Sequence, residues 1–420
     1  MNKLSQYNIF CKMDCSNSVV YNSFTRKYSV ISPSNHDNIG SNDTYDFLEK
    51  GIIVNSESDE YLNLVSSIQE EVKNGPQTLT IFPTTDCNAR CWYCYEKGIA
   101  HSYMSSETIS NVITFVKKTF NHKEIKINWF GGEPLMNIEA IKQITQLLKS
   151  SGYELQTTIT TNGSRITEDF IEFLCDNYSH VTINTSIDEI GDKYGRIKGY
   201  NDISYQEAYN KIIANVTIAL KRGIKILLRI NYTDFNRAQE IYSHLKETFN
   251  NYQKSECYIY YAPIWDSTKK RTINQTLAFV ENIRKGYDIN VLADPFLDNI
   301  VLNNVANVRR LAYCSGMNKN HYVINADGML YRCHSLVSDK KYSCGDIING
   351  VDESSLGYQI FECKTSNDEC KKCSVAPICM VQCKARSVIY GKENICSNTK
   401  DIIEHIIKLK VEINNKRRSQ

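Results

Sequence analysis

The sequence predicts an α/β fold in which parallel strands alternate with crossover helices, preceded by a small α+β region and followed by a cysteine-rich domain. Between residues 76 and 290, apolar β-prone runs alternate with amphipathic stretches, and this alternation is typical of βα units. Most of the 16 cysteines lie beyond residue 310 or in one loop near residue 90. The chain of 420 residues, 42% hydrophobic, is long enough for two or three domains with cores of their own.

Composition excludes several classes of partner. The net charge is +2, so no polyanionic partner is implied and we expect no nucleic acid. No run of about 18 apolar residues would span a bilayer, so we expect no membrane. Residues 1–6 do not lead into the apolar core of a signal peptide, and the chain is interpreted as cytoplasmic. Sixteen cysteines in such a protein indicate bound metal before disulfides.

The first 75 residues are predicted to form a small accessory α+β region. Two β-prone segments flank a turn at residues 14–17, and helical patterns follow at 45–49 and 61–72. The region is interpreted either as a structural cap or as an element that binds a leader peptide through a strand edge.

Six βα units are predicted between residues 76 and 290. The strand-like runs are 79–85, 125–130, 155–161, 181–187, 224–232 and 257–264. The helical stretches are 106–120, 138–149, 167–176, 204–222 and 236–249. Because the carboxyl ends of parallel strands meet at one edge, we expect the functional site there.

A loop after the first predicted strand carries Cys87, Cys91 and Cys94, in the spacing C-x3-C-x2-C. Three thiolates hold a 4Fe-4S cluster and leave one iron open for a ligand that is not protein. On this motif alone, a zinc knuckle or a set of buried cysteines remains an alternative.

With Tyr93 directly before the third cysteine, the loop resembles that of the radical S-adenosylmethionine (SAM) enzymes. The resemblance implies a partial (β/α)6 barrel and SAM chelated by the open iron. It implies that an electron from the cluster cleaves SAM to a 5'-deoxyadenosyl radical, so that the cofactor supplies the difficult chemistry. A flavodoxin- or ferredoxin-type electron donor is implied as a partner.

Further motifs fall at the predicted strand ends. The segment Gly131-Gly132-Glu133-Pro134 follows the second strand and resembles the family motif that holds the SAM amino group. The glycines would let the backbone approach a ligand closely, and the carboxylate would accept from an ammonium group.

Other SAM contacts are expected on strands three to five. The candidates for the ribose and carboxylate are Thr161, Asn162, Ser186 and Asp188. Arg229 is the expected carboxylate clamp and Arg196 competes for that role. Turn or N-cap chemistry is the alternative for Thr161 and Asn162.

The cysteines beyond residue 310 resemble the seven-cysteine SPASM domain. The matching residues are Cys314, Cys333, Cys370, Cys373, Cys379, Cys383 and Cys396. The resemblance implies two auxiliary clusters, and three 4Fe-4S clusters in the whole protein. The first would take Cys314, Cys333 and Cys383, and the second Cys370, Cys373, Cys379 and Cys396. Cys344, Cys363, a substrate thiolate or water would complete the first cluster; a zinc ribbon is the alternative.

These motifs divide the chain into five parts: 1–75 accessory, 76–290 radical SAM core, 291–309 linker, 310–400 SPASM domain, and 401–420 C-terminal helix and basic tail. SPASM-bearing members of the family mostly act on ribosomal peptides or protein side chains. We therefore expect a peptide maturase that forms a thioether or carbon-carbon cross-link in a ribosomal precursor peptide.

Two alternatives to the peptide maturase remain. In anaerobic sulfatase maturases, an aspartate base follows the second SPASM cysteine, whereas here His334 stands in that place and is the candidate base. The other alternative is a non-catalytic Fe-S electron-transfer protein, which would need neither the segment 131–134 nor Arg229.

Overall fold

The computed structural model divides the chain into two compact units. It describes residues 1–15, 17–31, 44–253, 255–264, 314–362, 368–380, 383–385, 388, 403–412 and 414–415. The described parts of 1–74, 314–318 and 362–415 form the terminal unit, and those of 75–264 and 319–361 form the barrel unit. The expected linker 291–309, Cys363, Cys396 and the tail residues 416–420 lie outside the described residues.

The terminal unit contains two small antiparallel sheets and a long helix. Its elements are β1 Asn2–Leu4, β2 Asn8–Lys12, β3 Ser18–Asn22, β4 Tyr28–Ile31, α1 Thr44–Glu49, β5 Ile53–Asn55 and α2 Glu60–Lys73. The sheets are β2-β3-β4 and β1-β5. Asp59 caps α2, because its carboxylate accepts from the N–H of Leu62.

The N-terminal sheet contacts the segment that carries the later cysteines. Ser23 donates to the carbonyl of Ser374, and the Arg26 guanidinium donates to the carbonyl of Pro377 over 3.1 Å. Ser374 and Pro377 lie between Cys373 and Cys379, next to the short helices Asp368–Lys371 and Ala376–Cys379. Within the terminal unit, residues near the start of the chain are therefore hydrogen-bonded to the cysteine-rich segment.

The barrel unit alternates strands and helices as the sequence predicts. Its strands are β6 Thr78–Ile81, β7 Glu124–Trp129, β8 Glu154–Thr160, β9 His180–Ser186, β10 Lys225–Tyr232, β11 Cys257–Pro263, β12 His321–Ile324, β13 Leu330–Tyr331, β14 Gly345–Asp346 and β15 Gly350–Val351. Its helices are α3 Ser106–Thr119, α4 Ile138–Ser150, α5 Glu168–Asn177, α6 Asp192–Lys198, α7 Tyr205–Lys221, α8 Phe235–Thr248 and α9 Leu356–Gln359.

Eight of these strands form one sheet in the order β11-β10-β9-β8-β7-β6-β12-β13. Adjacent strands from β12 to β11 are parallel, and β13 is antiparallel to β12. Side chains of β7 and β8 alternate between buried and more exposed, so that one face packs on helices. Ser105, Thr167 and Ser204 cap α3, α5 and α7 through their hydroxyl groups.

Strand β12 is the element whose placement the sequence does not predict. From the sequence, residues 327–333 are expected as a strand-turn-strand of the C-terminal domain, and the structure places them, with β12, in the barrel unit. His321–Ile324 pair in parallel with Thr78–Ile81, and the His321 ring lies 2.7 Å from the Thr78 hydroxyl. The predicted α/β fold class is confirmed, with this extra strand beside the first strand of the core.

None of the helices in the described ranges is long and apolar enough to cross a membrane.

Candidate active site at the carboxyl ends of the strands

The cysteine loop follows β6 and is held by main-chain contacts. The Arg90 N–H donates to the carbonyl of Lys198 over 2.7 Å, and the Asn201 N–H donates to the carbonyl of Asn88 over 2.9 Å. The Cys94 N–H donates to the carbonyl of Cys91 over 3.2 Å. Because the last residue of α6 and the segment after it fix residues 88–90, the loop has a defined path although its thiols are partly exposed.

Burial raises the pKa of two thiols of this loop, those of Cys87 and Cys94. Burial raises the pKa of Cys87 to about 12, opposed by the Ala89 N–H, with Glu133, Cys91 and Cys94 adding to the rise. Across the described residues, no three Cys, His, Asp or Glu side chains are already grouped as a metal site. The donor set nevertheless fits a cluster, since one loop supplies three neighbouring thiols and metal binding releases their protons.

Gly131 and Gly132 are required by the backbone of the cysteine loop. A Cβ on Gly131 would lie 2.3 Å from the carbonyl oxygen of Thr84, and one on Gly132 would lie 2.2 Å from that of Asp86. Gly131 also has a φ of 120°, which disfavours any side chain. The two glycines therefore allow a close approach of the protein backbone that leads into Cys87. From the sequence, the expected close approach was that of a ligand.

Glu133 is fully buried and accepts three hydrogen bonds from protein. The Thr161 hydroxyl and the Leu135 N–H donate to Oε1 over 2.6 and 3.0 Å, and the Asn162 N–H donates to Oε2 over 2.7 Å. Burial raises the pKa of this carboxyl, and the Thr161 and Asn162 donors oppose the rise. A carboxylate offers about four acceptor positions, so Oε2 retains capacity for a further donor. Pro134 continues directly into the short helix Pro134–Asn137.

Asn162 belongs to a second network that reaches the cysteine loop. Its side-chain amide donates to Asn88 Oδ1 over 2.8 Å, and Asn88 in turn donates to both oxygens of Asp202 and to the Ser164 hydroxyl. Asn88 is buried, and the sequence analysis did not select it. Its position directly after the first cysteine of the loop is the only feature of the local sequence that indicates its role in joining Asn162 to the loop.

One hydrogen-bonded cluster, called here the Lys198 network, joins the buried Asp188, Lys198 and Asn231 to the partly buried Tyr93 and Ser186. The Lys198 ammonium lies 2.7 Å from Asp188 Oδ2, 2.7 Å from the Ser186 hydroxyl and 3.0 Å from the Tyr93 hydroxyl. Asn231 donates to Asp188 Oδ1 over 2.8 Å, and the Tyr93 hydroxyl donates to Asp188. The network thus joins the cysteine loop to the ends of β9 and β10.

Lys198 and Asn231 were not predicted as site residues. Lys198 lies four residues after the buried Tyr194 on α6, so both side chains occupy the same face of that helix. A lysine spaced in this way from a buried aromatic residue is a weak signal, because long cationic side chains usually extend to solvent.

Arg229 lies next to Ser186 in the β9–β10 register. Its Nε is buried and has no hydrogen-bond partner among the described residues. An unpaired guanidinium N–H at the strand ends fits the carboxylate of a bound ligand such as SAM.

His334 lies against Phe130, which follows β7. Its half-buried ring is tilted by 40° to the Phe130 ring, with ring centroids 4.7 Å apart. Burial, and then the charge of Arg229, lower the pKa of His334 to about 4. The imidazole is therefore neutral at physiological pH.

Arg196 is not brought into this group. Its side chain is exposed, and its guanidinium lies 3.8 Å from the centroid of the Tyr205 ring. Of the two arginines considered as carboxylate clamps, only Arg229 lies at the strand ends with His334.

The later cysteines are distributed over both units. Cys333 and Cys344 belong to the barrel unit. The described cysteines of the terminal unit are Cys11, Cys15, Cys314, Cys370, Cys373, Cys379 and Cys383. Cys344 is fully buried, and burial raises the pKa of its thiol to about 11. Cys314 and Cys373 pack against the core formed by Tyr7 and α2.

Residues 81–246 match the family model described as the Radical SAM superfamily. This segment carries the cysteine loop, the segment 131–134 and Arg229. The chain therefore carries a radical SAM domain. A 4Fe-4S cluster and SAM are the cofactors that this family implies.

The chain is similar to two kinds of curated enzyme. It is 24% identical over 331 residues to a cysteine-type anaerobic sulfatase-maturating enzyme of Clostridium novyi, covering 72% of this chain and 86% of the relative. It is 25% identical over 241 residues to the radical SAM cyclopropyl synthase TigE of Paramaledivibacter caminithermalis, covering 46% of this chain and 51% of the relative.

Solved structures confirm the fold of a partial radical SAM barrel. Native anSMEcpe with bound AdoMet has a TM-score of 0.60 and 18% identity, covering 81% of this chain and 100% of that chain. Streptococcus suis SuiB bound to precursor peptide SuiA has a TM-score of 0.51 and 15% identity, covering 91% and 95%. At these identities the likeness concerns the fold alone.

Proposed function

We propose that the protein is a radical SAM peptide maturase that forms a thioether or carbon-carbon cross-link in a ribosomally made precursor peptide. The choice of cross-linking as the reaction rests on one observation. The imidazole of His334 packs on Phe130 after β7, and burial and the charge of the Arg229 guanidinium hold it neutral. A neutral, weakly basic imidazole removes only acidic protons, such as the proton lost when an aromatic ring is restored after radical attack.

The residues of the site divide between holding the cofactors and holding the substrate. SAM cleaved reductively at the cluster supplies the radical that abstracts a substrate hydrogen. Cys87, Cys91 and Cys94 would bind three irons, and Glu133 would accept from the SAM ammonium at the free capacity of Oε2. The unpaired Nε of Arg229 would donate to the SAM carboxylate.

The proposal includes auxiliary clusters on the later cysteines. Cys314, Cys333 and Cys383 would serve the first cluster, and Cys370, Cys373, Cys379 and Cys396 the second. The auxiliary clusters would accept the electron that the substrate loses when the cross-link forms. Reconstituted protein would then contain roughly twelve irons, if each cluster has four.

A peptide substrate is supported by two solved structures of similar fold. SuiB is bound to precursor peptide SuiA, and anSMEcpe is bound to the Kp18Cys peptide. We extend this to a ribosomal precursor peptide as partner, with a flavodoxin- or ferredoxin-type protein as electron donor and a cytoplasmic location.

Oxidation of a protein Cys or Ser is the second candidate function. It is favoured by the match that covers 86% of the Clostridium novyi sulfatase-maturating enzyme. It is opposed by His334, because the resemblance places an aspartate base at that position in those enzymes.

Mass spectrometry of peptides separates the two functions. The anaerobically reconstituted, reduced protein is incubated with SAM and with peptides encoded by short reading frames beside its gene, or with a sulfatase-derived peptide containing Cys or Ser. A loss of about two hydrogens with a new side-chain linkage in an encoded peptide supports the cross-linking proposal. Conversion of the sulfatase peptide to an aldehyde would contradict it.

The cysteine loop is tested in the same assay. The triple variant Cys87→Ala, Cys91→Ala, Cys94→Ala is expected to lose SAM cleavage and to retain the iron of the later cysteines. Cys175→Ala, at an exposed cysteine on α5, is the matched control and should retain both. SAM cleavage by the triple variant would rule out this loop as the site.

A further inference from the structure

The Lys198 ammonium has its hydrogen-bonding capacity filled by protein. An ammonium group has three N–H donors, and here the acceptors are Asp188 Oδ2, the Ser186 hydroxyl and the Tyr93 hydroxyl. The Lys198 and Asp188 side chains are 2% and 1% exposed. The lysine therefore has no donor left for a bound small molecule.

Asp188 accepts three hydrogen bonds from protein. Its Oδ1 accepts from Asn231, and its Oδ2 accepts from Lys198 and Tyr93. A buried ion pair is favourable only when further hydrogen bonds satisfy both ions, and this pair has them. Ser186 and Asp188, which the family resemblance assigned to the ribose and carboxylate of SAM, are thus both engaged by Lys198, and Asp188 keeps one acceptor position on Oδ1.

Main-chain contacts place the same lysine against the cysteine loop. The Lys198 carbonyl accepts the Arg90 N–H over 2.7 Å and lies 3.9 Å from Cys91 Sγ. The side chain of Lys198 reaches Tyr93, between the second and third cysteines. One residue therefore holds the loop at two points, on either side of Cys91.

We propose that the Lys198 network is a latch that fixes the cysteine loop against the ends of β9 and β10 before any metal binds. In this role Lys198, Asp188 and Tyr93 are positioning residues, and Ser186 and Asp188 serve the loop in place of the ribose. The latch orients the thiols of Cys87 and Cys91 for cluster assembly. This inference rests on the proposed role of those cysteines as ligands.

The latch is tested first on metal-free full-length protein, so that its outcome is independent of the proposed activity. Thiol alkylation is followed residue by residue by mass spectrometry. The variants are Tyr93→Phe, which removes one hydroxyl, and the double variant Lys198→Met/Asp188→Asn, which removes both charges and leaves no lone buried ion. Lys193→Met, at an exposed residue of the same helix, is the control.

Alkylation of Cys87 and Cys91 is expected to be roughly tenfold faster in the double variant, because local opening of the loop becomes easier. The exposed Cys15 and Cys175 should react at unchanged rates in every variant, which separates local opening from global unfolding. If the double variant fails to fold, Tyr93→Phe decides: faster alkylation of Cys91 supports the latch, and an unchanged rate overturns it.

A second readout separates the latch from a ribose contact. In reconstituted protein, the latch predicts that the double variant Lys198→Met/Asp188→Asn lowers the iron held by the loop and broadens the electron paramagnetic resonance signal of its cluster. A ribose contact predicts normal iron and normal alkylation, with weaker SAM binding only. The latter result would refute the proposed latch.

Discussion

The ammonium of Lys410 donates to the carbonyl oxygen of Arg26, 2.6 Å away and 384 residues earlier in the chain. Lys410 is buried, and it lies 5.5 Å from the centroid of the buried Tyr21 ring. Among the described residues, Lys410 makes no ion pair with a carboxylate. Burial, and then the charge of Arg26, lower the pKa of Lys410 to about 8.

This lowered pKa predicts how stability depends on pH. An unfolded lysine titrates near about 10.4, so between pH 8 and that value the unfolded chain binds more protons than the folded chain. The free energy of unfolding should therefore rise with pH across this window, by at most about 3 kcal/mol. Below pH 8 the buried Lys410 is charged, and the full cost of burying this charge lowers the free energy of unfolding.

Urea unfolding at several pH values from 7.5 to 10 checks this prediction. The increase should be smaller in Lys410→Met than in the natural protein, since methionine carries no titrating group. Lys408→Met, on the same helical segment and only half-buried, should keep the increase. Parallel curves for the natural protein and Lys410→Met would contradict it.

Arg229 and Arg196 give opposite predictions for SAM binding. Arg229→Gln should weaken SAM binding on the order of tenfold to a hundredfold, because a charged hydrogen bond to the ligand carboxylate is lost. Arg196→Gln should leave affinity unchanged, since its guanidinium stacks on Tyr205 at the surface. Anaerobic equilibrium dialysis with SAM measures both, and equal losses would place the clamp elsewhere.

Glu133→Gln should weaken SAM binding and also destabilise the fold. Three donors face the two carboxylate oxygens, so the amide nitrogen of glutamine would meet at least one N–H or O–H. The expected cost is about 1 to 3 kcal/mol of unfolding free energy. Thr161→Val removes one of the donors and is the milder comparison. Thermal melts and dialysis measure the two effects, and an unchanged SAM affinity in Glu133→Gln would count against its role in binding the ammonium.

Gly132→Ala should disrupt the cysteine loop. The added Cβ would lie 2.2 Å from the carbonyl of Asp86, so backbone on one side must move, at a cost of about 3 kcal/mol or more. Gly98→Ala meets nothing within 4 Å and should cost only about 1 kcal/mol for its positive φ. Melting temperature and iron content are the measurements. Normal iron loading in Gly132→Ala would show that the loop tolerates the shift.

The sequence predicts the parts of the fold that local patterns encode. The six strand runs and their helices follow from alternating and helical hydrophobic spacing, and hydroxyl residues such as Ser105 and Thr167 precede the helices that they cap. The motif at 131–134 is found where expected, after β7. Each of these features depends on residues close together in the chain.

The rest depends on partners distant in sequence. Lys198 is buried because Asp188, Ser186 and Tyr93 surround its ammonium. The distances in sequence between Lys198 and these partners do not predict that the lysine is buried. The pairing of β12 with β6 joins segments 243 residues apart. A local hydrophobic pattern predicts a strand but does not predict which strand lies next to it in the sheet. Arg229 and Arg196 are equivalent by residue type, and their surroundings distinguish them: Arg196 lies over the Tyr205 ring, whereas Arg229 has a buried Nε at the strand ends.

The pairing of β12 with β6 has a consequence for dividing this protein into fragments. A fragment of residues 75–264 would leave Thr78–Ile81 without its partner on one side, and an open edge of apolar, β-branched residues is a template for aggregation. Such a fragment should self-associate, although it contains the whole segment matched by the family model. A monomeric fragment of the core should require residues 319–361 as well, supplied in the same chain or as a separate peptide.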